Sequence, residues 1–394
     1  MTINRWVILA VVFIGRTSFG FQFQSVGSVS GLMREDLVIS HAQIGTLIGI
    51  YMLPGVFFAL PGGFLVKRFG DKRLLLIGLA MMATGGVVVG VFDSYDGALV
   101  GRILSGSGSV VLTVVATKMV VDWFAGKETR TGLGIMLAAW PFGIALGLAS
   151  QGWIGETFSW QAVMYVTAGI SIVALVGAAI LVKPAEVAIE NPSGRLFSLS
   201  KRELILASLG GLAWALFNAG FSIHVSFTPD VLTNAGRTAI EAGAIVSIGI
   251  WVTMVATPVG GYIVDKTGRP YLFLLIVMIG LTLTVGAFPY LAIPLVLSVL
   301  FGLFTGPGAA PIVALPSEVL RPDNRGPGLG VFFTWYYFAM AVGPPFAGAG
   351  RDWTGSSSTP LLIAAGMYVA IIVVILAFRS YAGKPGRVQV ENGA

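Results

Sequence analysis

The sequence predicts an all-α integral membrane protein, with twelve transmembrane helices in two pseudo-symmetric six-helix bundles. Three observations lead there. Of 394 residues, 56% are hydrophobic and only 11% are charged, less than half the roughly 25% charged content of a soluble domain. The apolar residues gather into long unbroken runs, each near the roughly 20 residues a helix needs to cross a bilayer. The second half of the chain repeats features of the first at an offset of 198 residues. Barrel strands are excluded because the runs do not alternate between apolar and polar positions.

The first six runs fall at 5–31, 41–66, 73–92, 97–121, 130–151 and 160–182. The second six fall at 204–229, 240–264, 270–289, 291–316, 327–349 and 359–380. Between them lies a polar stretch with Pro184, Pro192, Gly194 and charges of both signs. The expected division is an N-terminal bundle at 1–182, a cytoplasmic linker at 183–203, a C-terminal bundle at 204–380 and a cytoplasmic tail at 381–394. Span one is too long for a signal-peptide core, contains Arg16 and lacks a small-x-small cleavage site, so it reads as a retained helix.

The basic residues orient the spans. Of 24 Lys and Arg, all but six fall on the side of the two termini. Arg34, Arg237 and Arg351 lie opposite, Arg16 and Arg102 lie within spans, and Lys118 lies just inside the basic side. The positive-inside rule then places both termini in the cytoplasm, as expected of a multi-pass protein of a bacterial inner membrane. The net charge of +6 is a topology marker on this reading, and no nucleic-acid partner is expected.

The inventory excludes other chemistry. There is no Cys, hence no disulfide, thiolate metal site or Cys nucleophile. HExxH, a Walker lysine loop and GxSxG are all missing. The expectation is a non-enzyme without cofactor or metal, monomeric in the lipid bilayer, with a small molecule as partner.

The repeat is specific. Gly62-Gly63-Phe64-Leu65-Val66-Lys67-Arg68-Phe69-Gly70 closes span two, and Gly260-Gly261-Tyr262-Ile263-Val264-Asp265-Lys266-Thr267-Gly268-Arg269 closes span eight. Gly106 and Gly108 in span four meet Gly306 and Gly308 in span ten near the same offset, and Gly45 meets Gly243. Two similar halves normally hold a substrate site between them at mid-membrane.

These residues resemble the major facilitator superfamily over nearly the whole chain. The family's signature between spans two and three reads G-x-L-x-D-R-x-G-R-R. The second copy keeps Gly261, Asp265, Lys266, Gly268 and Arg269; the first has Lys67 where the acid is usual, then Arg68 and Gly70, with Asp71 following. The fourth-span motif appears as Arg102, Gly106 and Gly108, and the fifth-span pattern as Trp140, Pro141, Gly143 and Gly147. Glu318, Arg321, Asp323, Arg325 and Gly326 form a familiar loop before span eleven. The overall style is similar to the bacterial cyanate- and nitrate-porter branches. The resemblance implies secondary transport, with Gly63, Lys67, Arg68, Gly70, Asp71, Gly261, Asp265, Lys266, Gly268 and Arg269 as a conformational switch. Glycines there permit close approach, and a carboxylate can cap a helix or pair with a base in one state only. Plain anchoring by the basic residues is the alternative.

Charges inside the membrane point to a site. Arg16 lies halfway along span one, on a stripe with Phe19 and Phe23, with Gln24 on the adjoining face. A guanidinium fork among aromatic and amide groups suits a small planar oxyanion. Arg102 is a second candidate, either touching substrate or organising spans one and four. By the offset, Trp214 corresponds to Arg16 and Phe221 to Phe23, and Asn218 follows Trp214 by one turn. Trp335 and Tyr336 in span eleven add further polar aromatic groups. All 18 acidic residues fall in loops, tails or span ends, so the cavity is expected to be positive and its ligand an anion, inorganic or carboxylate. Lys118 reads either as a snorkelling residue or as an attractor of anions, and His224 as a hydrogen-bonding residue or a relay. Two other functions compete: export of hydrophobic compounds, where the aromatics matter more than Arg16, and a membrane sensor that binds without transport.

Overall fold

The computed structural model describes residues 4–58, 69–124, 128–182, 199–321 and 324–383, and the regular elements among them are all helical. The chain crosses as α1 (Arg5–Ser28), turns through the short α2 (Ser30–Leu37), and returns through α3 (His41–Ile50) and α4 (Pro54–Phe58). Four further crossings follow: α5 (Asp71–Val91), α6 (Tyr95–Trp123), α7 (Thr129–Thr157) and α8 (Trp160–Leu181). The second set comprises α9 (Lys201–Asn234), α10 (Ala239–Thr267), α11 (Pro270–Ala287), α12 (Pro294–Ala314), α13 (Arg325–Thr354) and α14 (Thr359–Ala382). Successive crossings reverse direction, which defines a terminal face near Arg5 and Ala382 and a distal face near Ser28, His41, Ala239 and Thr354.

Helix starts follow from local chemistry. Ser94 and Ser159 accept hydrogen bonds from the N–H groups of Gly97 and Ala162. Ser40, Ser200 and Thr238 form reciprocal capping boxes with Gln43, Glu203 and Glu241, satisfying donors that helix ends otherwise leave orphaned. Pro270 and Pro294 open α11 and α12, where no N–H is required. Gly268, at φ +62°, closes α10 in a left-handed conformation that suits glycine.

Eleven spans among the described residues are long and apolar enough to cross a bilayer. The twelfth crossing is α13, whose 30 residues include Trp335, Tyr336, Tyr337, Pro344 and Pro345. It packs between α9 and α3 and so depends less on lipid. The expected run 41–66 breaks after α3, where Pro54 lacks the N–H that would continue the ladder. The seventh crossing, α9, begins at Lys201, three residues before the start of its apolar run.

The halves share internal joints. A Cβ on Gly106 would strike the Tyr51 carbonyl, and one on Gly306 would reach the Thr253 carbonyl at 2.5 Å. The repeated glycines thus permit the same backbone contact between the second and fourth crossings of each half. Arg5 donates to Glu128 at 2.6 Å, joining α1 to the start of α7. At the offset, Glu203 of α9 accepts from Arg321 Nε at 3.2 Å and from Asn324 Nδ2 at 2.8 Å, just before α13. The joint is equivalent and its charges are exchanged.

Between halves, α3 lies against α13 and α7 against α10. Added Cβ atoms on Gly45 and Gly243 would strike the Pro344 and Leu148 carbonyls, so both interfaces are tight toward the distal face. At the terminal ends of the same helices, Cβ atoms on Gly134 of α7 and Gly261 of α10 would meet nothing within 4 Å.

Candidate functional site

Arg16 sits at the middle of α1 and is 6% exposed. Its Nη1 donates to Thr113 Oγ1 on α6 at 2.7 Å, and the Thr113 hydroxyl in turn donates to the Ser109 carbonyl at 2.8 Å. The guanidinium carbon lies 5.6 Å from the Phe19 ring centroid. Tyr336 and Tyr337 of α13 are within its electrostatic reach. Arg16 Nε has no hydrogen-bond partner, and Arg16 makes no ion pair among the described residues. A cation at this depth without a carboxylate is electrostatically unbalanced.

Aromatic rings from both halves surround this region. Trp140 of α7 meets Phe19 at 6.0 Å, Phe23 at 5.8 Å and Phe221 of α9 at 5.9 Å between centroids. On the other side, Trp214 stacks on Phe217 at 5.7 Å and on Tyr336 at 6.2 Å, and Tyr336 meets Tyr337 at 4.9 Å. The indole nitrogens of Trp140 and Trp214 are buried donors without an acceptor. Arg16, Phe19, Phe23, Trp214, Phe221 and Tyr336 are thus brought into one connected region. Thr113 and Trp140 join the region although the sequence analysis assigns neither of them to the site. Thr113 was signalled by spacing, because Arg102, Gly106, Ser109 and Thr113 follow one face of α6.

Four other candidates have contacts of their own. Arg102 is 1% exposed and donates from Nε to the Leu47 carbonyl at 2.9 Å, from Nη1 to the Gln22 carbonyl at 2.8 Å and from Nη2 to the Phe23 carbonyl at 3.3 Å. Its guanidinium also covers the Tyr51 ring at 4.2 Å. It joins α6 to α1 and α3, and each of its three guanidinium nitrogens already donates to a backbone carbonyl. Gln24 donates to the Val225 carbonyl of α9 at 3.1 Å, so it bridges the halves toward the distal face. Trp335 is half-exposed, with its ring edge-on to Phe338 and its indole against Gly211 of α9. Asn218 donates to the Trp214 carbonyl of its own helix at 2.8 Å.

Two other residues are engaged within their halves. Lys118 pairs with Asp71 at 2.9 Å and Asp122 at 2.7 Å, which neutralises it as an attractor of anions. His224 stacks on Phe301 at 3.9 Å and meets Thr228 at 3.1 Å.

The sequence model of the Major Facilitator Superfamily matches residues 12–294 and 215–393. The chain belongs to the major facilitator superfamily. Its superfamily relatives include the hexuronate transporter of Bacillus subtilis (strain 168), 25% identical over 398 residues and covering 91% of each chain. The lysosomal dipeptide transporter MFSD1 of Danio rerio is 24% identical over 407 residues, 94% of this chain and 86% of the relative. Solved structures give the same fold. A nucleoside transporter, NupG, aligns with TM-score 0.79 at 16% identity, over 95% of this chain and 99% of that one. A D-xylose–proton symporter aligns with TM-score 0.79 at 16% identity, over 95% and 97%. Membership makes this a multi-pass secondary transporter of a small molecule.

The superfamily's signature loops are partly visible. Gly63, Lys67 and Arg68 lie outside the described residues. Gly70 precedes α5 at φ +77°, and Asp71 of the first turn is the carboxylate paired with Lys118 in the same half. In the second copy, Gly261 has open space beside it, and Asp265, Lys266, Gly268 and Arg269 are exposed. Lys266 reaches the Tyr262 ring at 5.8 Å, whereas Asp265 has no ion pair among the described residues.

Proposed function

We propose that this transporter carries a small organic anion, a carboxylate, by alternating access between its two bundles. Arg16 is the observation that carries the reading: a buried cation at mid-depth that makes no ion pair with a carboxylate among the described residues. A bound carboxylate would supply that charge and accept from the guanidinium fork. The tyrosine hydroxyls and the unpartnered indole N–H groups favour a ligand rich in acceptors. The aromatic faces offer platforms for the C–H side of a small ring. Hexuronates and dipeptides, the substrates named for two relatives, both bear a carboxylate, which favours this class over an inorganic oxyanion.

In this reading the bundles divide at the 183–203 segment, and the terminal face is cytoplasmic in a bacterial inner membrane. The protein works as a monomer, without enzymatic activity or cofactor. Asp265 and its loop form a latch that closes the terminal face in the opposite state. A Cys introduced into the 183–203 segment should react only from the cytoplasmic side.

The deciding experiment is uptake into proteoliposomes. Radiolabelled glucuronate, galacturonate, dipeptides, nitrate and cyanate are compared with and without a pH gradient. Saturable uptake of a carboxylate, lost in Arg16→Ala, supports the proposal. Uptake of nitrate or cyanate alone would replace it with an inorganic anion. The aromatic ring around Trp140 favours a second reading, export of hydrophobic compounds, which amphiphile binding insensitive to Arg16→Ala would support. Binding without flux would make the protein a sensor.

A further inference from the structure

We infer that Asp352 and Glu156 are a matched pair of latches that hold the distal face shut. Each carboxylate ends the fifth crossing of one half and sits on the first turn of the second crossing of the other half. The inference rests on the alternating-access reading, but it is independent of which molecule is carried.

The geometry begins with the helix starts. In α3 the capping box between Ser40 and Gln43 occupies the N–H groups of those two residues. The next donors, His41 and Ala42, remain. His41 N–H donates to Asp352 Oδ1 at 3.1 Å and Ala42 N–H donates to Oδ2 at 2.8 Å. The His41 ring adds a contact from Nδ1 to Oδ1 at 2.8 Å. Asp352 belongs to the last turn of α13, so all three contacts bridge the halves.

The same construction recurs 198 residues along. Thr238 and Glu241 box the start of α10, and Ala239 N–H donates to Glu156 Oε1 at 3.2 Å. Glu156 belongs to the last turn of α7. Ala239 is the offset partner of His41, and Glu156 lies within two residues of the offset partner of Asp352. Two separate interfaces therefore use one arrangement, a carboxylate at the positive end of an opposing helix.

Packing brings these groups into range. A Cβ on Gly348 would strike the His41 carbonyl, and the Gly45 and Gly243 contacts seat the same two interfaces. Arg351, next to Asp352, pairs instead with Asp230 of its own half. By contrast, the Arg5–Glu128 and Glu203–Arg321 pairs at the terminal face lie within single halves and need not break when the halves rock. The two distal carboxylates must release.

The test uses distance measurements on the full-length chain, which has no native Cys. Spin labels go on exposed distal positions in different halves: Val38→Cys with Arg237→Cys, and Phe158→Cys with Trp353→Cys. Double electron–electron resonance then reads the open-to-closed ratio at this face. Neutralising one latch, by Asp352→Asn or Glu156→Gln, should raise that ratio roughly fivefold, and the double variant roughly twenty-five-fold, because distant contacts add. His41→Ala should have a smaller effect, since the two backbone donors to Asp352 remain. Asp352→Glu and Glu156→Asp, which keep the charge, should stay nearer the parent. Unchanged distributions in both label pairs of a folded double variant would overturn the latch. If the double variant does not fold, the two single variants decide in the same way.

Discussion

Two arginines lie deep in the N-terminal helices, and their surroundings separate their roles. Arg102 spends its nitrogens on three backbone carbonyls and covers Tyr51. Arg102→Ala should therefore destabilise the fold by about 3 kcal/mol, as expected for breaking a buried charge-assisted network. Thermal unfolding checks this, and the surviving folded fraction should still bind substrate. Among the described residues Arg16 has one side-chain hydrogen bond, to Thr113, and an unpartnered Nε. Opposite charges 4 Å apart attract by roughly 4 kcal/mol at an effective dielectric of 20, so Arg16→Ala should weaken carboxylate binding about a hundredfold or more. Its unfolding temperature should stay close to the parent. Arg16→Lys retains the charge without the planar fork and should fall between the two, by about tenfold. Calorimetry and thermal shift on the same preparations separate the effects. An Arg16→Ala protein that binds normally would remove the main support for an anionic substrate.

At the scale of elements, the glycine repeat supplies a sharp test. Gly45 and Gly243 admit the Pro344 and Leu148 carbonyls at equivalent interfaces, so branched side chains there would block closure. The Gly45→Val/Gly243→Val double variant should hold the distal face open, and the Val38–Arg237 and Phe158–Trp353 label pairs should not detect a normal closed population. The twelve crossings and this glycine repeat were legible in sequence because both depend on residue type along one helix. Helix breaks were less so: Pro54 interrupts the second crossing within an otherwise apolar run. The site was legible only in part. Arg16 and Arg102 look alike as sequence, and only the opposing carbonyls distinguish them. Gln24 shares α1 with Arg16 but is turned to α9, while Trp140 enters the site by touching Phe221 across the halves. The distal carboxylates left no complementary sequence signal, because most of their partners are backbone N–H groups.

For the whole molecule, the two faces should respond with opposite signs. In this state the distal carboxylates are engaged, whereas Asp265 on the terminal face is exposed without an ion pair among the described residues. If Asp265 closes its face only after the halves rock, neutralising it removes a contact from the opposite state. Asp265→Asn should then raise the population with the distal face closed, while Asp352→Asn should lower it. Each change acts on one two-state equilibrium, so a ligand-free measurement suffices. The groups lie at opposite faces, and their effects on that equilibrium should add. The Asp265→Asn/Asp352→Asn protein should therefore return toward the parent distance distribution, although each single variant departs from it. Labels at both faces make the test strict, because rocking requires one pair to lengthen as the other shortens. A double variant that stayed as displaced as Asp352→Asn alone would leave Asp265 as an anchor of the terminal face and the distal carboxylates as the charged latch.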